Sequence, residues 1–299
     1  MKFNKPHLTL EEQLTLLENR GLIVLDREQA QHYLGHLNYY RLSGYWFPFK
    51  QSPTINQFRL NTSFEDILNL YIFDRELRLL ILNAIERIEV SVRSKWAYFF
   101  CEKYGAHAHL DSTLFKKYQT HQKAISTLEK SVSKSKETFI EHLKSNYDET
   151  LPPLWALVEI MTFGQLSHWF GMLKLRSDKN DVARAYDMDE KNFVSILHHL
   201  TVVRNKCAHH SRLWNCEFTI TPKLPNNRPA DVVKSLNQSQ KRKIYNTLVI
   251  LIHLLNTISP NHHWKNKLLD LINRHKIDVS RMGFPSNFKS LPIWQKSRK

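Results

Sequence analysis

One very long stretch of the sequence repeats apolar residues at helical spacing. The repeated positions, each three or four residues from the next, are Leu77, Ile81, Ile85, Ile88, Val92, Trp96 and Phe99. This spacing places all of them on one face of an α-helix. Ser63 opens the stretch and Gly105 follows it. We therefore predict a single helix between these two residues, which forms the spine of the fold.

The composition favours helices in the rest of the chain as well. Only 7 of the 299 residues are glycine, and long periodic stretches outnumber alternations typical of strands. We therefore predict an all-α helical bundle. Within it, we predict that residues 1–62 form an N-terminal helical and aromatic segment packed on the core. Residues 63–299 would form the core domain, with a basic helical insertion at about 112–146.

Two capping patterns predict the first helices. Thr9 precedes Glu12 by three positions, which is the spacing of a capping box, and Asp26 with Gln29 repeats it. The aromatic residues crowded into residues 38–49 suit a packed loop or a short element between helices. Interior packing explains them better than stacking on RNA bases, since aromatic side chains dominate protein cores.

The net charge points to a polyanionic partner. The chain has 43 Lys and Arg against 28 Asp and Glu, a formal charge of +15. Nucleic acid is the partner that such a charge favours, although charge by itself also keeps a protein in solution. Lysines concentrate in residues 112–145, which we interpret as either a phosphate-contacting arm or a solvated face. The candidate RNA-binding residues are Lys116, Lys117, Lys123, Lys130, Lys134, Lys136, Arg212, Lys241, Arg242 and Lys243.

The cysteines and the hydropathy indicate the cellular compartment of the protein. The three cysteines are odd in number and widely spaced, which argues against a disulfide framework. The N-terminus lacks an apolar export core, and the most apolar stretch, residues 248–255, is too short to span a bilayer. We predict a cytoplasmic protein without membrane contact. The adjacent pairs His198-His199 and His262-His263 are weak metal signals, because neighbouring side chains diverge on a helix, and we expect no metal or cofactor.

The segment Arg204-Asn205-Lys206-Cys207-Ala208-His209 is the strongest functional signal. Arginine offers a planar fork of donors that matches a phosphate, and histidine exchanges a proton near neutral pH, so the pair suits RNA cleavage. The segment continues an apolar helical pattern, with Asp189 as a reasonable cap, and Arg204 lies four residues after Leu200 on the same stripe. We therefore expect Arg204 on a buried face, where its charge needs a partner.

Helix geometry constrains this pair. Five positions separate Arg204 from His209 by about 140 degrees on a regular helix, so both side chains reach one atom only if the helix ends or the arginine curls round. Two facing copies of the motif would relieve the difficulty. Asn205 shares the face of His209 and is a candidate to orient the imidazole or contact the substrate. His210 is the rival for proton transfer, and a purely structural helix-capping role is the alternative for the pair.

The long helix carries many charged residues. They are Asp74, Arg75, Glu76, Arg78, Glu86, Arg87, Glu89 and Arg93. Most would form solvated pairs one helical turn apart. Glu89 lies at the edge of the apolar stripe, four residues before Arg93, and is placed to reach Arg204 or the imidazole. We therefore predict that Glu89 and Arg93 support the site. Gly164 predicts a bend between two helices, and residues 211–229, rich in Pro and Asn, a surface loop.

Several ordered segments together resemble one family. They are residues 39–46 (YYRLSGYW), 73–78 (FDRELR), 88–93 (IEVSVR), 162–167 (TFGQLS), 204–209 (RNKCAH) and 211–215 (SRLWN). Arg204 and His209 are similar to the R-x(4-6)-H signature of HEPN ribonucleases, and the set resembles the AbiD/AbiF-like branch of the Abi family. The resemblance covers most of the chain.

The resemblance implies a HEPN-type helical bundle in bacterial anti-phage defence. It implies a metal-independent endoribonuclease with Arg204 and His209 as catalytic residues, a homodimer that joins two motifs in one cleft, and a bound, structured noncoding RNA. The alternative is a non-catalytic RNA-binding scaffold with a latent motif. Sequence-specific DNA regulation is less favoured, because no helix-turn-helix pattern stands out.

Overall fold

The structure, a computed structural model, describes residues 2, 4 and 6–295. The α-helices of these residues are α1 (Leu10–Glu18), α2 (Arg27–Leu37), α3 (Tyr39–Trp46), α4 (Phe64–Tyr104), α5 (Tyr118–Lys134), α6 (Thr138–Asn146), α7 (Leu154–Ile160), α8 (Phe163–Met172), α9 (Arg176–Arg184), α10 (Glu190–Ala208), α11 (Ala230–Ser235), α12 (Tyr245–Ile258) and α13 (Trp264–His275). The described residues contain isolated β-bridges but no β-strand. The all-α prediction is confirmed. Within the same residues, no helix combines the length and the apolar character needed to cross a membrane.

The predicted spine is α4, which runs for 41 residues without interruption. At 1.5 Å per residue, a helix of this length extends about 60 Å. Six residues of the predicted apolar stripe, from Leu77 to Trp96, are at most 1% exposed, and the seventh, Phe99, is half-buried. The helical period therefore identified the buried face of α4 correctly.

The described residues form two compact units. The first comprises the residues up to Arg78 together with Leu268–Ile277. The second comprises Leu79–Lys267 and the residues from Asp278 onward. Helices α4 and α13 contribute residues to both units, because each crosses a boundary. The boundary between the two units therefore lies within α4, after Arg78, whereas the two segments proposed from the sequence meet at residue 62.

The first unit begins with the two predicted capped helices. The Thr9 side chain accepts a hydrogen bond from the Glu12 backbone, and the Glu12 carboxylate accepts one from the Thr9 backbone, which completes the capping box of α1. Asp26 caps α2 by accepting from the Gln29 backbone at 2.9 Å. The capping box predicted for α1 is confirmed, and Asp26 is confirmed as the cap of α2.

The aromatic segment forms helix α3 and a short 3-10 turn at residues 47–49. Tyr45 and Trp46 are at most 4% exposed, so interior packing explains these two side chains. Tyr40 and Phe47 are 72% and 51% exposed, so packing does not account for the whole cluster.

A buried polar network lies within the first unit. Asp74 is fully buried and Arg78 is 4% exposed, and the two form an ion pair one helical turn apart. The Tyr45 hydroxyl donates to Asp74 Oδ2 at 2.7 Å, and Arg78 Nη1 donates to the Tyr45 oxygen at 3.3 Å. The prediction that charges here are solvated is therefore wrong for Asp74 and Arg78. The pairing of these two residues one helical turn apart was predicted correctly. Their burial was not, because Tyr45, which completes the network, comes from a distant segment of the chain.

We expect Asp74→Ala to lower the free energy of unfolding by about 3 kcal/mol, because it leaves the Arg78 guanidinium buried without its carboxylate. Chemical denaturation followed by circular dichroism measures the change. Glu86→Ala, which removes an exposed carboxylate from the same helix, is the control and should have little effect. Equal effects of the two substitutions would contradict a structural role for the buried pair.

In the second unit, α8 and α10 approach each other closely. A Cβ atom on Gly164 would lie 3.5 Å from Thr201 Cγ2, and one on Gly171 would lie 3.7 Å from Val194 Cγ1. The break predicted at Gly164 occurs earlier, because Thr162 caps α8 in a capping box with Gln165. Gly164 instead lies in the first turn of α8, where it faces α10.

The lysine-rich insertion forms helices α5 and α6. Helix α5 buries His121, Ala124, Leu128 and Val132 on one face, while its lysines are exposed on the other. The helical prediction is confirmed, and α5 is amphipathic, with one face packed in the unit. Asp189 accepts from the backbone of Asn192 at 2.9 Å and caps α10, as predicted.

Candidate active site

The candidate site lies at the C-terminal end of α10, where the helix stops abruptly. His209 is the C-cap residue. The His210 backbone N–H donates to the Cys207 carbonyl at 3.1 Å, and the Ser211 N–H donates to the Lys206 carbonyl at 2.8 Å. These two bonds form a Schellman motif. Since the regular helix ends at Ala208, His209 is not held to helical geometry, and one of the two conditions under which it can converge with Arg204 is met.

His210 occupies the left-handed position of this motif, with φ of +57°. Glycine usually fills that position, because a Cβ atom there costs about 1–2 kcal/mol. Residues held in such conformations cluster at functional sites. The unusual backbone turns the chain sharply between the two histidines.

Arg204, Asn205, His209 and His210 are all exposed. The expectation that Arg204 would be buried on the apolar stripe is therefore wrong. The stripe itself is correct, since Leu200 and Val203 are fully buried. Arg204, however, lies in the last turns of α10, where a long side chain can carry its charge into water. Its Nη1 lies 3.4 Å from Asn205 Oδ1, a long hydrogen bond that a substrate could replace.

Glu89 and Arg93 form a largely buried ion pair on α4. Arg93 Nη2 lies 2.5 Å from Glu89 Oε1 and also donates to the Met161 carbonyl at 2.6 Å, and both side chains are about 15% exposed. Burial raises the pKa of Glu89, whereas the positive charges of Arg93 and Arg204 act to lower it. Arg204 is therefore one of the charges that act on the Glu89 carboxylate. Glu159 is a weaker partner of Arg93, at 3.8 Å.

The other residues near the motif are structural. Cys207 is 1% exposed, which suits a packed thiol. His199 is also buried, and its Nδ1 donates to the Ile220 carbonyl at 2.7 Å while its Nε2 accepts from the Thr247 hydroxyl at 2.8 Å. Among the residues that the structure describes, no group of three or more His, Cys, Asp or Glu side chains is arranged to hold a metal ion.

The predicted RNA-binding residues differ in availability. The lysines from Lys116 to Lys136, with Lys241 and Arg242, are exposed, and Arg212 is half-buried. Lys243 is largely committed to the protein, because its ammonium donates to Asn215 Oδ1 at 2.9 Å and lies 3.5 Å from Glu217. The 211–229 segment that contains these partners is mostly irregular, as predicted.

The end of α10 lies within the part of the chain that matches a known family. A family model described as Abi-like protein matches residues 32–215. The chain belongs to the Abi-like protein family. The matched region contains the Tyr45 network, the Glu89–Arg93 pair and the end of α10, whereas α11, α12 and α13 lie beyond it. Membership of the Abi-like family indicates an abortive-infection protein. Neither the curated proteins nor the solved structures contain a significant match.

Sequence reasoning missed two residues of this Abi-like chain. His168 on α8 and His198 on α10 line a cavity together with Lys116 and Lys117. The available signal was spacing, since His198 precedes Asn205 by seven residues and therefore shares its helix face. This signal was overlooked because His198 was considered only as a metal ligand and His168 was not considered.

Proposed function

We propose that this Abi-like protein is a HEPN-type, metal-independent endoribonuclease of abortive infection. One observation carries the proposal: Arg204, Asn205 and His209 are exposed together at the end of α10, with a buried carboxylate–guanidinium pair beside them. A guanidinium and an imidazole open to solvent can meet a phosphodiester. A structural capping role alone would not require all three side chains to face water.

The proposed reaction is an internal transesterification of RNA. The 2'-oxygen forms a bond to the adjacent phosphorus, and the bond from phosphorus to the 5'-oxygen of the next nucleotide breaks. The proton of the 2'-hydroxyl is removed and one is delivered to the leaving 5'-oxygen, with His209 as the proton-transfer group. Arg204 stabilises the charge that develops on the phosphoryl oxygens. The products are a 2',3'-cyclic phosphate and a 5'-hydroxyl.

A homodimer would bring two such motifs to one phosphate. Two facing copies offer one subunit's arginine and the other's histidine to the same phosphate, so the two side chains of one chain need not converge across the end of α10. A two-fold contact would place the same patch on both chains. Sedimentation of the purified protein tests the association directly.

The charge of +15 supports RNA as the partner, and we propose that a structured noncoding RNA binds and regulates the enzyme. A scaffold with a latent motif would bind the same RNA without cleaving it. The two functions differ in their products. Labelled RNA incubated with the protein in excess chelator should yield fragments with cyclic phosphate and 5'-hydroxyl ends. Bound but intact RNA would favour the scaffold instead.

We expect Glu89→Gln to lower kcat of RNA cleavage several-fold with little change in KM, because the loss of its charge weakens the hold on Arg93 and the field at Arg204. Glu159→Gln is the matched control, since it removes the other carboxylate facing Arg93, which is 3.8 Å away and 52% exposed. Steady-state kinetics of both variants measure the difference. If the two variants behave alike, Glu89 does not position the site.

A further inference from the structure

A cavity of about 560 Å³ lies beside the candidate active site in the second unit. It is an open cleft lined by the residues around the start of α5 and by the helices α8 and α10. Its lining includes Lys116, Lys117, Thr120, His168, His198 and Thr201. The volume falls within the range of about 300–1,000 Å³ that is usual for small-ligand pockets. The cavity is therefore large enough for a nucleotide.

The chemistry of the lining suits an anion with an aromatic group. Two lysines and two exposed histidines face the cavity, and its lining, which lies wholly within the described residues, includes no Asp or Glu. Imidazole rings can stack on nucleobases, and ammonium groups pair with phosphates. The Thr120 hydroxyl adds a neutral donor, whereas the Thr201 hydroxyl donates to the Leu197 carbonyl at 3.0 Å and offers a ligand only an acceptor. This combination matches a nucleotide better than a purely apolar ligand.

The backbone fixes Lys116 at the edge of the cavity. Its N–H donates to the Met172 carbonyl at 3.0 Å, and the Lys174 N–H donates to the Leu114 carbonyl at 2.8 Å. Lys116 Nζ donates to the Gly171 carbonyl at 3.1 Å, which uses one of its three hydrogens. Two donors of a well-placed ammonium therefore remain for a ligand.

A second ammonium intensifies the positive charge here. Lys179 is 7% exposed and donates to the Leu173 carbonyl at 2.9 Å. Burial, and then the nearby Lys116, lower the pKa of Lys179 to about 8, although the carboxylates of Glu190 and Asp178 act to raise it. Two neighbouring ammonium groups repel each other, and an anion bound at Lys116 would relieve that repulsion.

Helix α10 connects the cavity to the motif. Val194, His198 and Thr201 line the cavity, Asn205 continues the same helix face four residues later, and His209 follows at the C-cap of the helix. From Thr201 to Asn205 the rise is about 6 Å, and from His198 to His209 it is about 16 Å. A strand of a few nucleotides spans such a distance, so a chain that fills the cavity can lie along α10 and reach His209.

We propose that this cavity is a substrate subsite that holds a nucleotide of single-stranded RNA a few nucleotides away from the phosphate to be cleaved. Lys116 and Lys117 bind the backbone phosphate, and His168 and His198 stack on the base. This assignment rests on the nuclease function proposed above. It also separates Lys116 and Lys117 from the remaining lysines of the insertion, which lie outside the lining.

The test measures binding apart from cleavage. The probe is a fluorescent single-stranded oligoribonucleotide in which every 2'-hydroxyl is methylated, so that it cannot be cleaved, and fluorescence anisotropy gives its Kd. The variants are Lys116→Gln with Lys117→Gln, His168→Ala with His198→Ala, and Lys117→Gln alone. The matched control is Lys223→Gln with Lys234→Gln, two exposed lysines of the same unit that lie outside the cavity lining and outside the candidate RNA-binding residues. Thermal unfolding verifies that each variant folds.

We expect each double cavity variant to raise Kd about tenfold, since base stacking and phosphate contacts contribute on this scale. The lysine pair should also reduce the slope of log affinity against log salt by about 1, which a merely structural change would not do. With cleavable RNA the same variants should raise KM and leave kcat nearly unchanged. The control pair should change Kd less than threefold.

The outcomes separate this inference from the proposed function. Equal weakening by the cavity pair and the control pair would indicate diffuse surface attraction and overturn the subsite. The same holds if Kd, salt slope and KM are unchanged in the cavity variants while the parent still cleaves RNA, and the nuclease would then stand. Cavity-dependent binding by a parent protein that cleaves no RNA would overturn the nuclease and the cavity's place within it.

Discussion

His209→Ala should lower the rate of RNA cleavage about 10³-fold, because general acid–base catalysis by a positioned histidine contributes on this scale. The exposed imidazole at the C-cap of α10 makes this test clean, since its removal opens no cavity in the core. Single-turnover cleavage of labelled RNA in chelator measures the chemical step. Arg204→Ala should cost about 10²–10³-fold by removing a donor to the phosphoryl oxygens. Arg204→Lys should not restore the parent rate, because an ammonium lacks the planar fork.

His210→Ala is the matched control for this prediction. It removes a second imidazole one residue away and should change the rate less than about tenfold, because His210 sits in the left-handed turn rather than on the helix face shared with Asn205. Binding of the methylated oligoribonucleotide should be nearly unchanged in His209→Ala. If His210→Ala is instead the slower variant, the proton-transfer role belongs to His210, and if neither variant is slower, the nuclease proposal is wrong.

The sequence predicted α4 and the start of α10 because these features depend on local rules. The apolar period of α4 and the caps at Thr9 and Asp189 require only a few neighbouring residues. The burial of Asp74 was not predictable in this way, because Tyr45, which completes its network, is 29 residues away. Local spacing made Asp74 and Arg78 look like a surface pair.

The same limit applies to the candidate site. The spacing of Arg204 and His209 was readable from the chain, and so was the place of Glu89 at the edge of the α4 stripe. The exposure of Arg204 was not readable, since the apolar stripe on α10 continues up to this residue. Only the folded structure shows that Arg204 lies in solvent. The cavity was also invisible, because it arises where residues near 116, 168 and 198 meet.

Acidification should destabilise the second unit well before its carboxylates titrate. Burial lowers the pKa of His109 to about 3 and that of His199 to about 4, against a usual value near 6.5. Between these pKa values, the folded state therefore binds fewer protons than the unfolded chain. The stabilisation is complete above pH 6.5 and declines as pH falls below it toward the folded-state pKa values. At pH 5 each of the two histidines should lower the free energy of unfolding by about 2 kcal/mol, at 1.36 kcal/mol per pH unit below 6.5.

The substitution His109→Phe isolates half of this effect. His109 is fully buried between His107 and His121, whose charges would oppose its protonation further, and neither of its ring nitrogens has a hydrogen-bond partner among the described residues. A phenyl ring fills the same space and removes two unsatisfied polar atoms, so stability at pH 7.5 should be equal or higher. The loss between pH 7.5 and pH 5, measured by urea unfolding, should shrink by about 2 kcal/mol.

His142→Phe, at an exposed position of the same unit, should leave that loss unchanged. A parent protein whose unfolding free energy is the same at both pH values would contradict the prediction for His109 and His199 together. Retention of the full acid sensitivity in His109→Phe would assign it to His199 instead. In that case protonation would break the bonds that join His199 on α10 to Ile220 and Thr247, and acid would act on the helix that carries Arg204 and His209.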